Sequence, residues 1–383
     1  MRKNVLAFAR EAGGVAAIAP VCRAMLSEGW NLLLLSKDHG LTAFMDRGIE
    51  CVPFPLFDTT VLDALVQGRF GDVPDLVFTS ATSLPTLDMT ERYLWQWGKA
   101  AGVPTVGVLD QWQNYALRFS GPSPEERLAY LPDHIFVMDD YAQEAMTRIG
   151  ILKERISITG QPAFDNLAER FSELASRKVE KRRLLDIPET CTVVTFVAES
   201  LQKDFGPCLG YDEQTTVAFL GAVLKKISSE NEGVQPYLLI KPHPENMPEE
   251  FRWTLSKWPS LKKRLLGPEA NSLEILAISD IVVGMISTML VEAALCGIPV
   301  ISLQLDATDN SQFMLTERNI IPFNSTKEAG ADLIKGLLVD PGYRAEYLQR
   351  QSGIHIAGDA VSKTMETICK ILQHKEVADE HCR

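Results

Sequence analysis

Apolar runs recur along the N-terminal half of the chain, separated by stretches of helical character. Runs that are apolar at nearly every position, rather than at every second one, are typical of strands buried on both faces. The runs occupy residues 4–9, 31–36, 50–54, 75–80, 104–109 and 134–138. Because strands and helices alternate in this way, the pattern predicts a parallel sheet with helices on both faces.

The pattern continues in the C-terminal half, with runs at residues 192–198, 237–240, 281–283 and 300–303. Between the halves, a run at 156–159 is followed by Gly160, Gln161 and Pro162 and then by a charged segment. We therefore expect two Rossmann-like, doubly wound parallel-sheet domains. The expected bounds are 1–168 and 186–355, with a linker at 169–185 and a last helix within 356–383.

Length and charge agree with this division and exclude one class of partner. At 383 residues the chain is too long for one ordinary core. A net charge of -12 and a pI near 5.1 argue against a nucleic-acid partner, because nonspecific binding needs clustered Lys and Arg. The densest basic run, 178–183 (KVEKRR), is more typical of a solvated helix face than of a site. A peripheral contact between this basic run and an anionic membrane remains an alternative.

The cysteines predict a reducing compartment. The chain has 7 of them, without a C-x-x-C pair and without His at metal-ligand spacing, so neither a disulfide framework nor a zinc site is expected. No apolar run reaches the roughly 18 residues that a membrane span needs. We expect a cytoplasmic protein, with peripheral association at the inner face of the membrane left open.

The segment 279–304 (SDIVVGMISTMLVEAALCGIPVISLQ) predicts a strand, a turn, a helix and a second strand. Ser287 lies where the helix begins and is suited to be its N-cap. The hydroxyls of Ser287 and Thr288 and the first N–H groups of the helix would then suit a phosphate. Glu292 lies one turn further on the same face as Thr288, where a carboxylate can accept hydrogen bonds from ribose hydroxyls.

The same segment also fits an ordinary βαβ unit with Glu292 on a solvated face. However, S-T-x-x-x-E-A-x-x-x-G-I-P resembles the nucleotide-binding segment of GT-B glycosyltransferases and of the related non-hydrolysing epimerases. The resemblance implies that Ser287 and Thr288 contact the donor phosphates and that Glu292 contacts the ribose. It also implies that the last helix of the chain packs back on the N-terminal domain.

Two loops of the first half carry candidate site residues. Gly13 and Gly14 lie between the first strand and a helix expected at 15–27, and they resemble the glycine-bearing first loop of GT-B N-terminal domains. The segment 110–119 (DQWQNYALRF) follows another strand and places Asp110 near Arg118. In GT-B families the comparable loop faces sugar and acceptor, which implies that Asp110 is a general base and that Arg118 helps bind the nucleotide sugar. The structural alternatives are that Gly13 and Gly14 form only a flexible turn, and that Asp110 caps a short helix whose aromatic residues serve packing.

The sequence KPHP at 241–244 holds His243 on a stiff turn at the end of a buried strand, beside Lys241. It resembles the H-P motif of bacterial sialyltransferases, Kdo transferases and glycerophosphotransferases. The resemblance implies that His243 and Lys241 stabilise the departing phosphate. Glu199, just beyond the run 192–198, stands where GT-B enzymes have donor-facing residues.

These features predict a glycosyltransferase that needs neither a metal nor another cofactor, since no D-x-D stands at a suitable strand end. The donor is expected to be a nucleotide sugar of UDP or CMP type. The acceptor would be a glycan or a lipid-linked glycan in surface polysaccharide biosynthesis. A nucleotide-sugar 2-epimerase or hydrolase on the same fold is the first alternative, and a non-catalytic nucleotide-sugar binder is the second.

Overall fold

The chain divides into two units, one made of Met1–Asp165 with Ile356–Arg383 and the other of Asn166–His355. The structure is a computed structural model that describes residues 2–247, 249–308, 313–356 and 358–381, without the side chains of 253–255 and 376–381. We call the two parts unit 1 and unit 2.

The strands of unit 1 follow the predicted apolar runs. They are β1 (Asn4–Ala9), β2 (Asn31–Ser36), β3 (Val52–Pro53), β4 (Leu76–Ser80), β5 (Thr105–Val108), β6 (His134–Val137) and β7 (Ile156–Ile158). The helices between them are α1 (Ala12–Ser27), α2 (His39–Met45), α3 (Thr59–Phe70), α4 (Thr90–Ala100) and α5 (Asp140–Arg148). Only β3 is much shorter than expected, since it covers two residues of the predicted run 50–54.

The order of the strands indicates at which edge of its sheet unit 1 would bind a ligand. In the described residues the sheet runs β3-β2-β1-β4-β5-β6-β7, and every pairing is parallel. Because β1 pairs with both β2 and β4, successive strands are added on opposite sides of it. Ligands of such sheets bind beyond the carboxyl ends of the strands at this switch point.

Unit 2 begins with two helices and then alternates strands and helices. In chain order its elements are α6 (Leu167–Ser176), α7 (Lys178–Leu184), β8 (Thr192–Val197), α8 (Leu201–Phe205), α9 (Glu213–Glu230), β9 (Pro236–Lys241), α10 (Glu249–Ser256), β10 (Lys262–Leu265), α11 (Ser272–Ile278), β11 (Ile281–Gly284), α12 (Thr288–Leu295), β12 (Val300–Ser302), α13 (Met314–Glu317), α14 (Lys327–Val339) and α15 (Pro341–Gln351).

The sheet of unit 2 is also parallel, in the order β10-β9-β8-β11-β12 among the described residues. Its switch point lies between β8 and β11. Both strands are central and buried: Val193, Phe196 and Val282 are each 0% exposed. The carboxyl ends of β8 and β11 are therefore held rigidly side by side.

The stretch 169–185, which the sequence assigns to a linker, is mostly helical and groups with unit 2. Arg182 on α7 donates to the Ile278 carbonyl at 2.6 and 3.0 Å and to Asp280 at 2.6 Å, and Lys178 donates to Asp280 at 2.7 Å. Asp280 also accepts from the N–H of Val193 at the start of β8. These contacts fasten α7 to the sheet. The basic run 178–183 is thus partly neutralised by unit 2 and is not a free basic face.

The last helix, α16 (Ala360–His381), packs on α1 within unit 1. Ile368 is 0% exposed and Leu372 is 3% exposed, in the same apolar core as Ile18 of α1. Asp165 accepts hydrogen bonds from the N–H of Ala360 at 2.9 Å and from the next N–H at 2.8 Å. A carboxylate at the positive end of a helix stabilises it.

Within the described residues, no helix has both the length and the apolar composition that a membrane crossing requires.

The packing of α16 can be tested with Ile368→Ala. Loss of a fully buried Ile leaves a cavity and is expected to lower the free energy of unfolding by about 2–5 kcal/mol. Denaturant unfolding followed by circular dichroism measures this change. Lys370→Ala, on the exposed side of the same helix, is the control and should change stability by no more than about 0.5 kcal/mol. Equal effects of the two variants would contradict the described packing.

Candidate functional site

The start of α12 is built by a tight turn at the carboxyl end of β11. An ideal Cβ on Gly284 would lie 2.8 Å from the side chain of Val197 on the neighbouring strand β8, so only glycine fits here. Ser287 is extended and its Oγ accepts from the N–H of Met289 at 3.2 Å. The predicted N-cap is therefore confirmed.

Glu199 reaches this turn from the end of β8. One carboxyl oxygen accepts from the N–H of Met285 at 3.3 Å and from that of Ile286 at 3.0 Å, and the N–H of Ser287 also hydrogen-bonds the carboxyl group. Successive N–H groups that converge in this way form an anion-binding nest. Burial raises the pKa of Glu199 to about 8, against the lowering effect of these hydrogen bonds. Glu199 and Ser287, both predicted site residues, thus meet at one turn.

The partly exposed face of α12 carries the next two predicted residues. Thr288 and Glu292 are half-buried, whereas the intervening residues 289–291 are buried against the sheet. Cys296 continues the same face one turn later. Burial, together with the Glu292 carboxylate, raises the pKa of the Cys296 thiol to about 12. Thr288 and Glu292 therefore lie one above the other, as the sequence spacing predicts.

Lys241, which is predicted to help stabilise the departing phosphate, already has two backbone partners for its ammonium group. Its Nζ donates to the carbonyls of Pro242 and Pro268, each at 2.9 Å, and the residue is buried. Burial also lowers the pKa of this lysine. Two of its three N–H donors are therefore committed to backbone oxygens that hold the loop after β9 in place.

His243 follows in the same loop and is half-buried. Its ring Nδ1 accepts from the backbone N–H of Glu245 at 3.3 Å. The backbone N–H of His243 donates to Asn246 Oδ1 at 2.9 Å. When Nδ1 accepts, the proton of a neutral imidazole is on Nε2. The turn therefore orients the ring with Nε2 as its donor atom.

A buried polar network behind His243 was not foreseen. Asn246 donates to Glu213 Oε1 at 3.4 Å, and Glu213 Oε2 accepts from the N–H of Gln202 at 3.2 Å. Burial raises the pKa of Glu213. The network links α8 and the loop after β9 to the first residue of α9. The acidic start of α9 was visible in the sequence, but its contact with Asn246 spans 33 positions and has no local signal.

In unit 1, the two predicted glycines lie inside the first turn of α1 and not in a loop before the helix. An ideal Cβ on Gly13 would lie 2.5 Å from Asp110 Oδ2, and one on Gly14 would lie 2.7 Å from Ser80. The glycines are therefore needed because the start of α1 approaches the ends of β4 and β5 closely. The structure brings Gly13, Gly14 and Asp110 together.

Asp110 and Arg118 form a buried ion pair of 2.8 Å. The Arg118 side chain is 1% exposed and also donates to the carbonyls of Gln113 and Ala81. Gln161 holds the backbone by donating to the Asp110 carbonyl at 2.7 Å. The geometry makes Arg118 a partner that orients one carboxyl oxygen of Asp110, while the other oxygen faces Gly13.

Two further carboxyl groups near Asp110 were missed by the sequence analysis. Burial, together with Asp110 and Glu91, raises the pKa of Glu11 to about 7. Glu91 is 0% exposed, and its Oε1 accepts from the hydroxyls of Ser80 and Thr82. The position of Glu11 directly after β1 was a usable signal. Glu91 had none, because it looks like one polar residue of an amphipathic helix.

Polar atoms without a partner accompany this acidic cluster. In the described residues, Glu91 Oε2 and Arg118 Nη2 are buried and make no hydrogen bond. Buried polar atoms of this kind normally bind something, and they cluster at functional sites. No group of three or more His, Cys, Asp or Glu among the described residues is arranged to hold a metal ion.

No protein-family model matches the chain, and no curated protein sequence matches it. Solved structures do. The UDP-GlcNAc 2-epimerase from Neisseria meningitidis bound to UDP-GlcNAc has a TM-score of 0.70 at 14% identity, over 96% of this chain and 99% of that one. A glycosyltransferase from Rickettsia africae has a TM-score of 0.63 at 10% identity, over 98% of both chains. The Anabaena protein HepE in complex with UDP-glucose has a TM-score of 0.62 at 15% identity, over 97% and 100%.

These similarities confirm the predicted fold class. The two parallel-sheet units are those of the GT-B fold, which UDP-GlcNAc 2-epimerases and glycosyltransferases share.

The close approach of α1 to Asp110 predicts a large effect of Gly13→Ala. The added Cβ would collide with Asp110 Oδ2, so the carboxylate must move and its contact with Arg118 must weaken. We expect a loss of about 1–3 kcal/mol in the free energy of unfolding. Gly68→Ala on α3, where a Cβ meets nothing within 4 Å, should be neutral or stabilising by up to about 1 kcal/mol. If the two variants were equally stable, the described contact would be wrong.

Proposed function

We propose that the protein is a glycosyltransferase that moves a sugar from a nucleotide-activated donor, of UDP type in the first instance, to a glycan or lipid-linked acceptor. Surface polysaccharide biosynthesis is the process that such an activity would serve. The observation that carries the proposal is the start of α12, where Ser287 and Thr288 lie one turn before the half-buried Glu292 on the partly exposed face of the helix.

The donor phosphates would bind at the start of α12. Ser287 Oγ already accepts from the N–H of Met289, so its hydroxyl proton can point to a phosphate oxygen. Thr288 adds a second hydroxyl, and the helix start favours negative charge. Glu292, one turn later, would accept hydrogen bonds from the two ribose hydroxyls. This arrangement recognises the shared part of all nucleoside diphosphates, while the base contacts stay undefined.

His243 would assist departure of the nucleotide. Its Nε2–H can donate to a phosphate oxygen on which negative charge develops as the glycosidic bond breaks. Lys241 has a different role from the one expected, because its ammonium group holds Pro242 and Pro268 and so supports the loop that carries His243. We propose that these groups perform the charge stabilisation for which other transferases use a divalent metal.

Asp110 would deprotonate the acceptor hydroxyl. Its Oδ1 is held by Arg118, which leaves Oδ2 as the atom for proton transfer. Glu11 is close enough to influence Asp110 electrostatically and would hold or release a proton near neutral pH. Arg118 would act through Asp110 and not by direct contact with the nucleotide sugar.

A 2-epimerase is the second candidate, because UDP-GlcNAc 2-epimerases are prominent among the similar structures. An epimerase would act on the donor without an acceptor and would exchange the hydrogen at C2 of the sugar. Incubation of the protein with UDP-GlcNAc alone in D2O, followed by proton NMR, separates the two activities. Loss of the H2 signal together with a new C2 epimer would establish epimerisation. An unchanged spectrum, with sugar transfer when acceptors are added, would establish the transferase.

The proposed ribose contact predicts that Glu292→Ala weakens UDP binding by about 10- to 100-fold. This range corresponds to the loss of hydrogen bonds to a charged group. Isothermal titration calorimetry of the wild type and the variant with UDP measures the change. Glu274→Ala on α11, whose side chain is 49% exposed, is the control and should bind like the wild type. Unchanged affinity of the Glu292 variant would remove this residue from the site, and a wild type that binds no nucleoside diphosphate would refute the proposed function.

The proposed base predicts that Asp110→Asn lowers turnover by about 10²- to 10⁴-fold and changes donor affinity little. The amide has nearly the same shape but cannot accept the proton. Initial rates at saturating donor, with a thermal melt to verify folding, measure the effect. Asp140→Asn, on the exposed first turn of α5, should keep wild-type turnover. Normal turnover in the Asp110 variant would show that another group is the base.

A further inference from the structure

One turn of unit 2 is occupied by a carboxyl group at the place where the proposed function requires a phosphate. The Glu199 carboxyl accepts hydrogen bonds from the N–H groups of Met285 and Ile286 and interacts with that of Ser287. Ser287 is also the N-cap of α12. A phosphate bound at Ser287 and Thr288 would therefore touch the same turn that already holds an anionic side chain.

In the described part of the chain, the groups found to interact with Glu199 include no positively charged side chain that could offset a second negative charge. Glu213, at the first position of α9, is itself acidic and raises the pKa of Glu199 further. Burial, together with the nearby Glu199 carboxylate, raises the pKa of the Tyr211 hydroxyl in the loop before α9. Tyr211 is neutral and donates towards Gln304 at 3.5 Å. From β11 and α12, the contacts of Glu199 are backbone N–H groups, which carry only partial charges.

A phosphate at Ser287 and Thr288 beside an ionised Glu199 would put two full negative charges at one partly buried turn, where they repel each other strongly. The repulsion is removed if Glu199 leaves the turn or if it becomes neutral. Glu199 directly follows a central, buried strand and is held by several hydrogen bonds, so displacement would break all of them at once. Protonation keeps them, because the carbonyl oxygen of a neutral carboxyl group still accepts from the N–H groups.

We propose that the protein binds phosphate only when Glu199 is protonated, so that a nucleotide binds together with one proton from solvent wherever Glu199 is ionised in the free protein. The neutral carboxyl group keeps its contacts to the turn through one oxygen and donates its O–H to a phosphate oxygen. Glu199 is then a positioning residue for the phosphate. This inference rests on the proposed function, because it takes the start of α12 as the phosphate site.

The raised pKa of Glu199 gives the pH range in which the coupling is visible. Below a pH of about 8 the free protein already has the proton, and binding should be independent of pH. Above that pH the free protein has lost the proton and must regain it to bind. The affinity should then fall by about tenfold for each pH unit. The second ionisation of a phosphate, near pH 6, is complete throughout this range.

The experiment is calorimetric titration of UDP into the full-length protein at pH 7, 8 and 9, in buffers of different ionisation enthalpy. The dependence of the heat on the buffer gives the number of protons taken up. For the wild type we expect almost none at pH 7 and about 0.9 at pH 9. Glu199→Gln mimics the protonated acid, because its amide both accepts and donates. It should bind UDP with unchanged affinity from pH 7 to 9 and without proton uptake at Glu199.

Glu274→Gln is the matched control, since it removes an exposed carboxylate of α11 and should behave like the wild type. Wild-type binding without proton uptake at pH 9 would overturn the inference, as would the same uptake in Glu199→Gln. Tighter binding by Glu199→Gln at every pH, again without uptake by the wild type, would show that phosphate displaces Glu199.

Inorganic phosphate separates this inference from the proposed function, because it has the anion without the nucleoside and does not itself titrate near pH 9. If UDP does not bind and phosphate binds with proton uptake at pH 9, the nucleotide function fails and the coupling stands. If phosphate binds without uptake, or if neither ligand binds, the coupling fails. The wild type alone decides these outcomes, so they do not depend on the folding of a variant.

Discussion

The hydrogen-bonding demand of the turn between β11 and α12 is the constraint on which unit 2 depends. The first N–H groups of a helix have no partner within the helix, and the helix start is electrically positive. Here the Glu199 carboxyl accepts from the N–H groups of the turn that precedes the helix, and the Ser287 side chain caps the first helical turn. The strand order makes the arrangement unavoidable, since β8 and β11 are adjacent at the switch point. Structure and proposed chemistry therefore use the same groups.

In unit 1 the groups that need stabilisation are buried carboxyl groups, whereas in unit 2 they are backbone N–H groups. The start of α1 comes so close to β4 and β5 that only glycines fit at positions 13 and 14. This approach buries Glu91 and leaves Asp110 only 11% exposed. Arg118 offsets the cost of burying the Asp110 charge. Glu11, in contrast, responds to burial by an increase in its pKa.

Structural features that depend on residues close together in the chain could be predicted from the sequence. Buried strands, the Ser287 cap and the Thr288–Glu292 face depend on local periodicity, and all of them agree with the structure. Strand β10 was missed, because its sequence KKRL is polar and it lies at the edge of the sheet. Helix α7 was taken for a linker, since the partner of Arg182 lies 98 positions away. The contact of Lys241 with the carbonyl of Pro268, 27 positions distant, could not be predicted from the sequence for the same reason.

The central claim is that a nucleotide's phosphates bind at the turn before α12. Amide resonances of the ¹⁵N-labelled protein, recorded during a UDP titration, test it most directly. The account predicts that the N–H signals of Met285, Ile286, Ser287 and Thr288 shift together and saturate at one ligand per chain. UDP binding that leaves these four signals unchanged would contradict the account.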